Sequence, residues 1–206
     1  MRKPLVRTMV AVAAAAAATI LGSGVASATI ITPGTWTVSP SGTIAATAGE
    51  TTLVGQRATL RCASSSVTGT AVATATGSPA TLASLPAGST TGVKFNNCTG
   101  PGGFTFTVTQ NGTWLLRGST YDNVAGVTSG AITNVNARLS GPFCTATVTG
   151  SVNATYTNST KVIQTGTSNL TVTAVSGCLG LITLGEHPSF NGTYTASTGQ
   201  NVTAVP

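Results

Sequence analysis

Apolar and polar positions fall into two regimes along this chain. Near the start, Arg2, Lys3 and Arg7 precede an uncharged, alanine-dominated run from Met9 to Leu21, and Ala26-Ser27-Ala28 closes the segment. A basic opening, a short apolar run and small residues at the end are the parts of an export signal, so residues 1–28 read as a secretory signal peptide with the mature chain starting at Thr29. The run is shorter than the roughly 20 residues of a membrane-crossing helix. No cysteine precedes Cys62 to accept a lipid anchor, and Asn201 to Pro206 carries neither an apolar tail nor a basic flank, so no membrane insertion is expected. Beyond Ala28 the period changes to two, with β-branched residues alternating against Thr, Ser and Asn between Gly, Pro and Asn punctuation.

The clearest strand is Phe104 to Thr109, which places Phe104, Phe106 and Val108 on one face and three threonines on the other. Thr145 to Thr149 and Leu170 to Val175 repeat the pattern with Val148, Leu170 and Val172 directed inward, and Ala131, Val135, Ala137 and Leu139 alternate against Ile132, Asn134, Asn136 and Arg138. Turns are predicted at Pro40-Ser41-Gly42, Pro86-Ala87-Gly88, Pro101-Gly102-Gly103 and Asn111-Gly112. Many short strands joined by such turns define an all-β chain folded as a β-sandwich or a barrel-like body, an immunoglobulin-like sandwich being one form of it.

An internal repeat organises these strands. Gly34-Thr35-Trp36, Gly112-Thr113-Trp114 and Gly192-Thr193-Tyr194 recur at 78 and 80 residues, and the second and third of these sit at one distance from Cys98 and Cys178. Cys62 precedes Val67-Thr68-Gly69-Thr70 as Cys144 precedes Val148-Thr149-Gly150-Ser151. Residues 29–206 therefore read as one all-β domain of two pseudo-repeats of about 80 residues, near 34–111 and 112–191, with a closing strand over 192–206 that restarts the pattern. The strand opening each copy is expected to complete the copy before it. Duplication of a bridged unit predicts the disulfides Cys62–Cys98 and Cys144–Cys178, each closing a loop worth about 3–4 kcal/mol on the chain-entropy model. Export into an oxidising compartment favours bridges over metal ligation, and no Cys-x-x-Cys spacing is present.

Charge narrows the function classes. The formal +6 falls to +3 once Arg2, Lys3 and Arg7 are set aside, leaving six cations and three acids spread over the remaining chain. Six scattered cations form no stripe that could follow a phosphate backbone, so nucleic acid is not an expected partner. The acids are Glu50, Asp122 and Glu186 and the single histidine is His187, which leaves a hydrolase to assemble from His187 with Asp122, Glu50 or Glu186. No Gly-x-Ser-x-Gly elbow accompanies them, and three acids cannot build a calcium site. No catalytic residue, cofactor or metal is assigned. Trp36, Trp114 and Tyr194 share one repeat position, so they are either repeated packing residues or a row of stacking platforms for sugar rings. Thr105, Thr107, Thr109, Thr145, Thr147 and Thr149 are either a solvated strand face or a flat hydroxyl ladder.

The stretches from Cys98 to Thr109, Leu139 to Val148 and Ser176 to Ile182, with Phe190-Asn191-Gly192-Thr193-Tyr194, resemble small secreted β-rich proteins of actinobacteria that carry two disulfides and no assigned activity. Gly185-Glu186-His187 stands where Gly-Asp is expected. There is a looser similarity to secreted β-proteins described as activators of alkane oxidation, which are surface-associated and not catalytic. The resemblance implies export and β architecture and supplies no substrate. The expected function is that of a non-enzymatic extracellular or cell-surface protein, structural or adhesive, working by self-association or on cell-wall glycan. The alternative is a binding module for a glycan or an apolar small molecule, and a cofactor-independent hydrolase ranks third.

Overall fold

The computed structural model describes residues 29–206, so the export signal expected over 1–28 lies outside the described residues. Period-two alternation of valine, alanine and threonine becomes sixteen strands. These are β1 (Ile30–Ile31), β2 (Thr35–Ser39), β3 (Gly42–Ala48), β4 (Thr51–Val54), β5 (Thr59–Ala71), β6 (Thr74–Thr76), β7 (Ala80–Pro86) and β8 (Gly92–Thr99). They continue as β9 (Thr105–Gln110), β10 (Thr113–Asp122), β11 (Val127–Gly141), β12 (Cys144–Thr157), β13 (Val162–Gly177), β14 (Ser189–Asn191), β15 (Thr193–Ala196) and β16 (Asn201–Val205).

Four strand pairs run end to end as single staves with a short interruption: β3/β4, β7/β8, β9/β10 and β14/β15. With β5, β11, β12 and β13 they make an eight-stave, next-neighbour antiparallel barrel. The ring closes where Tyr194 meets Ala48 and Phe190 meets Leu53, joining the last stave to the first. Closure removes the exposed edges of a flat sheet. Of the two forms left open by the sequence, the chain thus adopts the barrel and not an immunoglobulin-like sandwich. Stave four joins β9, before Gly112, to β10, after it, and β10 pairs with both β7 and β11.

The ends of the barrel differ. At one, β2, β6 and β16 form a separate three-stranded sheet that caps the lumen. Asn158, in the β12–β13 turn, bonds both the amide and the carbonyl of Val202 at 2.8 and 2.7 Å, which clamps β16 in place. At the other end the bare connections 55–58, 100–104, 142–143 and 178–188 project. Eight strands give a lumen about wide enough for side chains to fill. Leu85, Leu139, Val148, Val172 and Trp114 pack its middle, while Trp36, Val38, Leu82, Tyr121 and Val202 pack between barrel and cap.

Several expectations are revised. Trp36 is not on a barrel stave: β15 occupies the slot beside β3 that a third Gly-Thr-aromatic strand would take, so β2 is displaced into the cap. Its ring lies against Gly118, with a ring carbon 2.9 Å from where a Cβ would stand, and meets Tyr121 edge-on. Asn111-Gly112 does not reverse the chain. Gly112, at φ +66°, kinks one stave between β9 and β10, which run in the same direction. On β11 the register slips between Ile132 and Val135 around Asn134, at φ +57°, so Ile132 rather than Ala131 packs against the core beside Val135, Ala137 and Leu139. Phe104 precedes β9 and is exposed, while Phe106 and Val108 face inward as expected.

Candidate functional site

The four cysteines pair as the repeat predicts, Cys62 with Cys98 and Cys144 with Cys178. Cys62 and Cys98 are direct cross-strand partners on β5 and β8, and the second bridge ties the start of β12 to the residue after β13. Both stand toward the uncapped end, where they brace the projecting connections.

Groups that could do acid–base chemistry are dispersed and engaged in local structure. The Glu186 carboxylate is buried and accepts from the amides of Gln56 and Thr183, the latter at 3.1 Å, which staples the β4–β5 hairpin to the segment before β14. Asp122 accepts from the amides of Val124 and Ala125 in the β10–β11 turn, at the capped end. Glu50 pairs with Arg61 at 2.7 Å on the surface. His187 Nδ1 lies 2.9 Å from the Leu170 carbonyl at the uncapped end. Neither Asp122 nor Glu50 is brought to His187, and among the described residues no group of three His, Cys, Asp or Glu could hold a metal.

Trp36, Trp114 and Tyr194 are all buried, so they form no exposed stacking row. Trp114 and Tyr194 stand on equivalent barrel staves with polar atoms satisfied inside the fold, the indole by the Asn136 carbonyl at 3.3 Å and the phenol by Ser65 at 2.7 Å. Burial pushes the Tyr194 phenol up to about 12, against a smaller lowering by the Ser65 hydroxyl. The threonine rows of β9 and β12 flank Ser140 and Arg138 of β11, and exposed Arg138 between Thr109 and Thr147 interrupts any flat hydroxyl plane.

What the alternation of residues does not announce is the surface at the uncapped end. Phe143 is 71% exposed, Leu179 87%, Leu184 69% and Phe104 52%. Phe104 and Phe143 meet edge-on with ring centres 6.4 Å apart. With Pro101, Pro142, Phe106, Leu181 and Ile182 they surround an apolar depression of about 210 Å³ that includes Cys144 and Cys178. Phe143 on the two-residue 142–143 connection and Leu179 and Leu184 on the Gly-bearing 178–188 connection stand outward, while Ile182 between them packs against the core. A signal was present in the sequence: Pro142-Phe143 and Leu179-Gly180-Leu181 put large apolar residues in turn positions.

The lumen beneath the cap holds a second feature. About 110 Å³ stays free there, walled in part by Ala46, Ala71, Ala83, Gly130, Ala154 and Ala196 from six different staves, with Val38 and Val202 of the cap over it. A further 70 Å³ lies deeper, beyond Val67, Leu116, Ile132 and Ile163, which wall both spaces. An empty volume near 110 Å³ costs roughly 2–3 kcal/mol. No family model, curated protein or solved structure matches the chain.

Proposed function

We propose that the protein acts outside the cell as a non-enzymatic adhesive protein that attaches to an apolar surface through the uncapped end of its barrel. The observation that carries this reading is the cluster of Phe104, Phe143 and Leu179, exposed around one depression on connections that two disulfides brace. Scattered exposed apolar residues are ordinary, but a contiguous cluster of large ones at one end of a molecule marks an interaction surface. The surface selects apolar matter over glycan. Sugar rings are held by an aromatic face together with hydrogen-bonding groups beside it, and the wall residues here are Phe, Leu, Ile, Pro and cystine. Export is supported by the signal-like residues 1–28 and by two disulfides with no free cysteine among the described residues.

The test compares wild type with the double variant Phe143→Ser/Leu179→Ser. Wild type should be retained in a washed cell-surface fraction and on phenyl-coated beads, and not on purified cell-wall polysaccharide. The double variant should lose at least about tenfold in retention with an unchanged melting temperature, because exposed apolar side chains contribute little to the fold. Free diffusion of the wild type into the medium, or equal retention of both proteins, overturns the reading.

A further inference from the structure

An eight-stave lumen is normally filled by side chains or occupied by one small ligand. In the layer under the cap, inward positions on six staves carry Ala46, Ala71, Ala83, Gly130, Ala154 and Ala196, and none carries a side chain long enough to fill the centre. One small residue is accounted for by local packing. Six under one cap leave a chamber, whereas the level below, lined by the larger Leu85, Leu139, Val148 and Trp114, keeps the smaller space of about 70 Å³. Val38 and Val202 of the cap lie over the chamber and Asn158 clamps β16, so it is roofed without being sealed.

We infer that this chamber is a binding site for one compact, uncharged apolar molecule, an aromatic ring or short hydrocarbon of about six to eight non-hydrogen atoms. The size follows from the free volume of about 110 Å³, with about 70 Å³ more behind the shared wall of Val67, Leu116, Ile132 and Ile163. For comparison, an engineered apolar cavity of about 150 Å³ stays dry and takes up benzene. The chemistry follows from the walls. Tyr156 donates to the Gln200 carbonyl, the Gln200 amide bonds the Thr43 carbonyl and the Thr198 hydroxyl, and the Arg117 guanidinium reaches the Pro79 carbonyl. Tyr156 and Gln200 are thereby engaged within the protein, while the buried Arg117 Nε and the Thr128 hydroxyl are left without a partner in the wall. The rest of the lining is mostly aliphatic, so it suits an apolar guest better than a group of waters, each of which needs two to four polar partners. The site is independent of the uncapped end and is read out in solution with no surface present, so either reading can fail alone.

Benzene, toluene and cyclohexane, titrated against the full protein in sealed cells, test it. Each should raise the melting temperature saturably, by about 3–6 °C at ten times its dissociation constant. Bound benzene should show nuclear Overhauser contacts to the methyls of Ala154, Ala196 and Ile132. Ala154→Leu and Ala196→Leu fill the chamber and should each reduce the shift at least tenfold. Should either fail to fold, Ala154→Val and the contacts in the wild-type protein carry the same test. No saturable shift with any of the three probes, a shift that survives both filling substitutions, or contacts only to Phe143 and Leu179 would overturn the site.

Discussion

Tyr194 and Ser65 face each other inside the barrel, both buried, at 2.7 Å. The phenol titrates near 10 when the chain is unfolded and near 12 in the fold. A group whose folded value is raised contributes stability that is whole below the unfolded value and is lost as pH climbs through the folded one. Stability should therefore hold to about pH 10 and fall by about 2–3 kcal/mol between about pH 10 and about pH 12, as read by denaturant midpoints. Burial raises Tyr156 in the same direction. Tyr194→Phe should flatten that part of the profile and cost about 1–3 kcal/mol at neutral pH, since it leaves the buried Ser65 hydroxyl unpartnered. A profile equally steep in the variant would assign the alkaline loss elsewhere. Glu186 and His187 separate two further roles. Glu186→Ala removes the buried acceptor of the part-buried amides of Gln56 and Thr183 and should cost about 1–3 kcal/mol by the same measurement, whereas His187→Ala, on an exposed residue, should shift stability by less than about 0.5 kcal/mol. A large loss in His187→Ala would show that its contact to the Leu170 carbonyl holds the β13–β14 connection.

At the scale of elements, each disulfide fastens the projecting connections of the uncapped end that adjoin its cysteines. Cys144 and Cys178 directly follow Phe143 and precede Leu179, so removing this bridge frees the two most exposed residues of the cluster. Cys144→Ser/Cys178→Ser should lower stability by about 3–4 kcal/mol and weaken retention on phenyl-coated beads. Cys62→Ser/Cys98→Ser should lower stability similarly and leave more of the retention, since only the Phe104 connection follows that bridge. Equal losses of retention would mean that docking tracks stability alone. The pairing itself was legible because the two cysteine pairs have nearly equal spacing in the sequence, and Val148, Leu170 and Val172 were legible because they keep the inward phase up to the register shift beside Val148 and Val172. Alternation misled at β11, where the Asn134 bulge shifts the phase so that Ile132 faces the core, and at Gly112, where a residue typical of hairpins kinks a stave without turning it. The apolar cluster escaped the same reading because period two reports on strands, and Phe143, Leu179 and Leu184 lie between them.

For the molecule as a whole, ring closure decides how it folds. Strands and turns are local and were legible, but which edges meet is set by contacts between the first stave and the last, and no local pattern reports on those. The small inward residues of the chamber were equally hidden, because an inward alanine and an outward one read alike until the ring is closed. Each half is a four-stave sheet with two open edges and half a lumen wall. The β3/β4 edge waits for β14/β15, and the β9/β10 edge for β11. Alone, a half would expose both the edges and its inward apolar face, which favours aggregation or unfolding over a stable domain. Because each disulfide lies within one half, cutting the β10–β11 turn leaves both fragments bridged. Fragments 29–124 and 125–206 should therefore each show little β signal by circular dichroism when separate. Mixed at equal concentration, they should assemble into a non-covalent barrel with one melting transition that rises with concentration. A fragment that melts cooperatively by itself would show that a copy is a domain in its own right, and the closed ring a docking of two finished units.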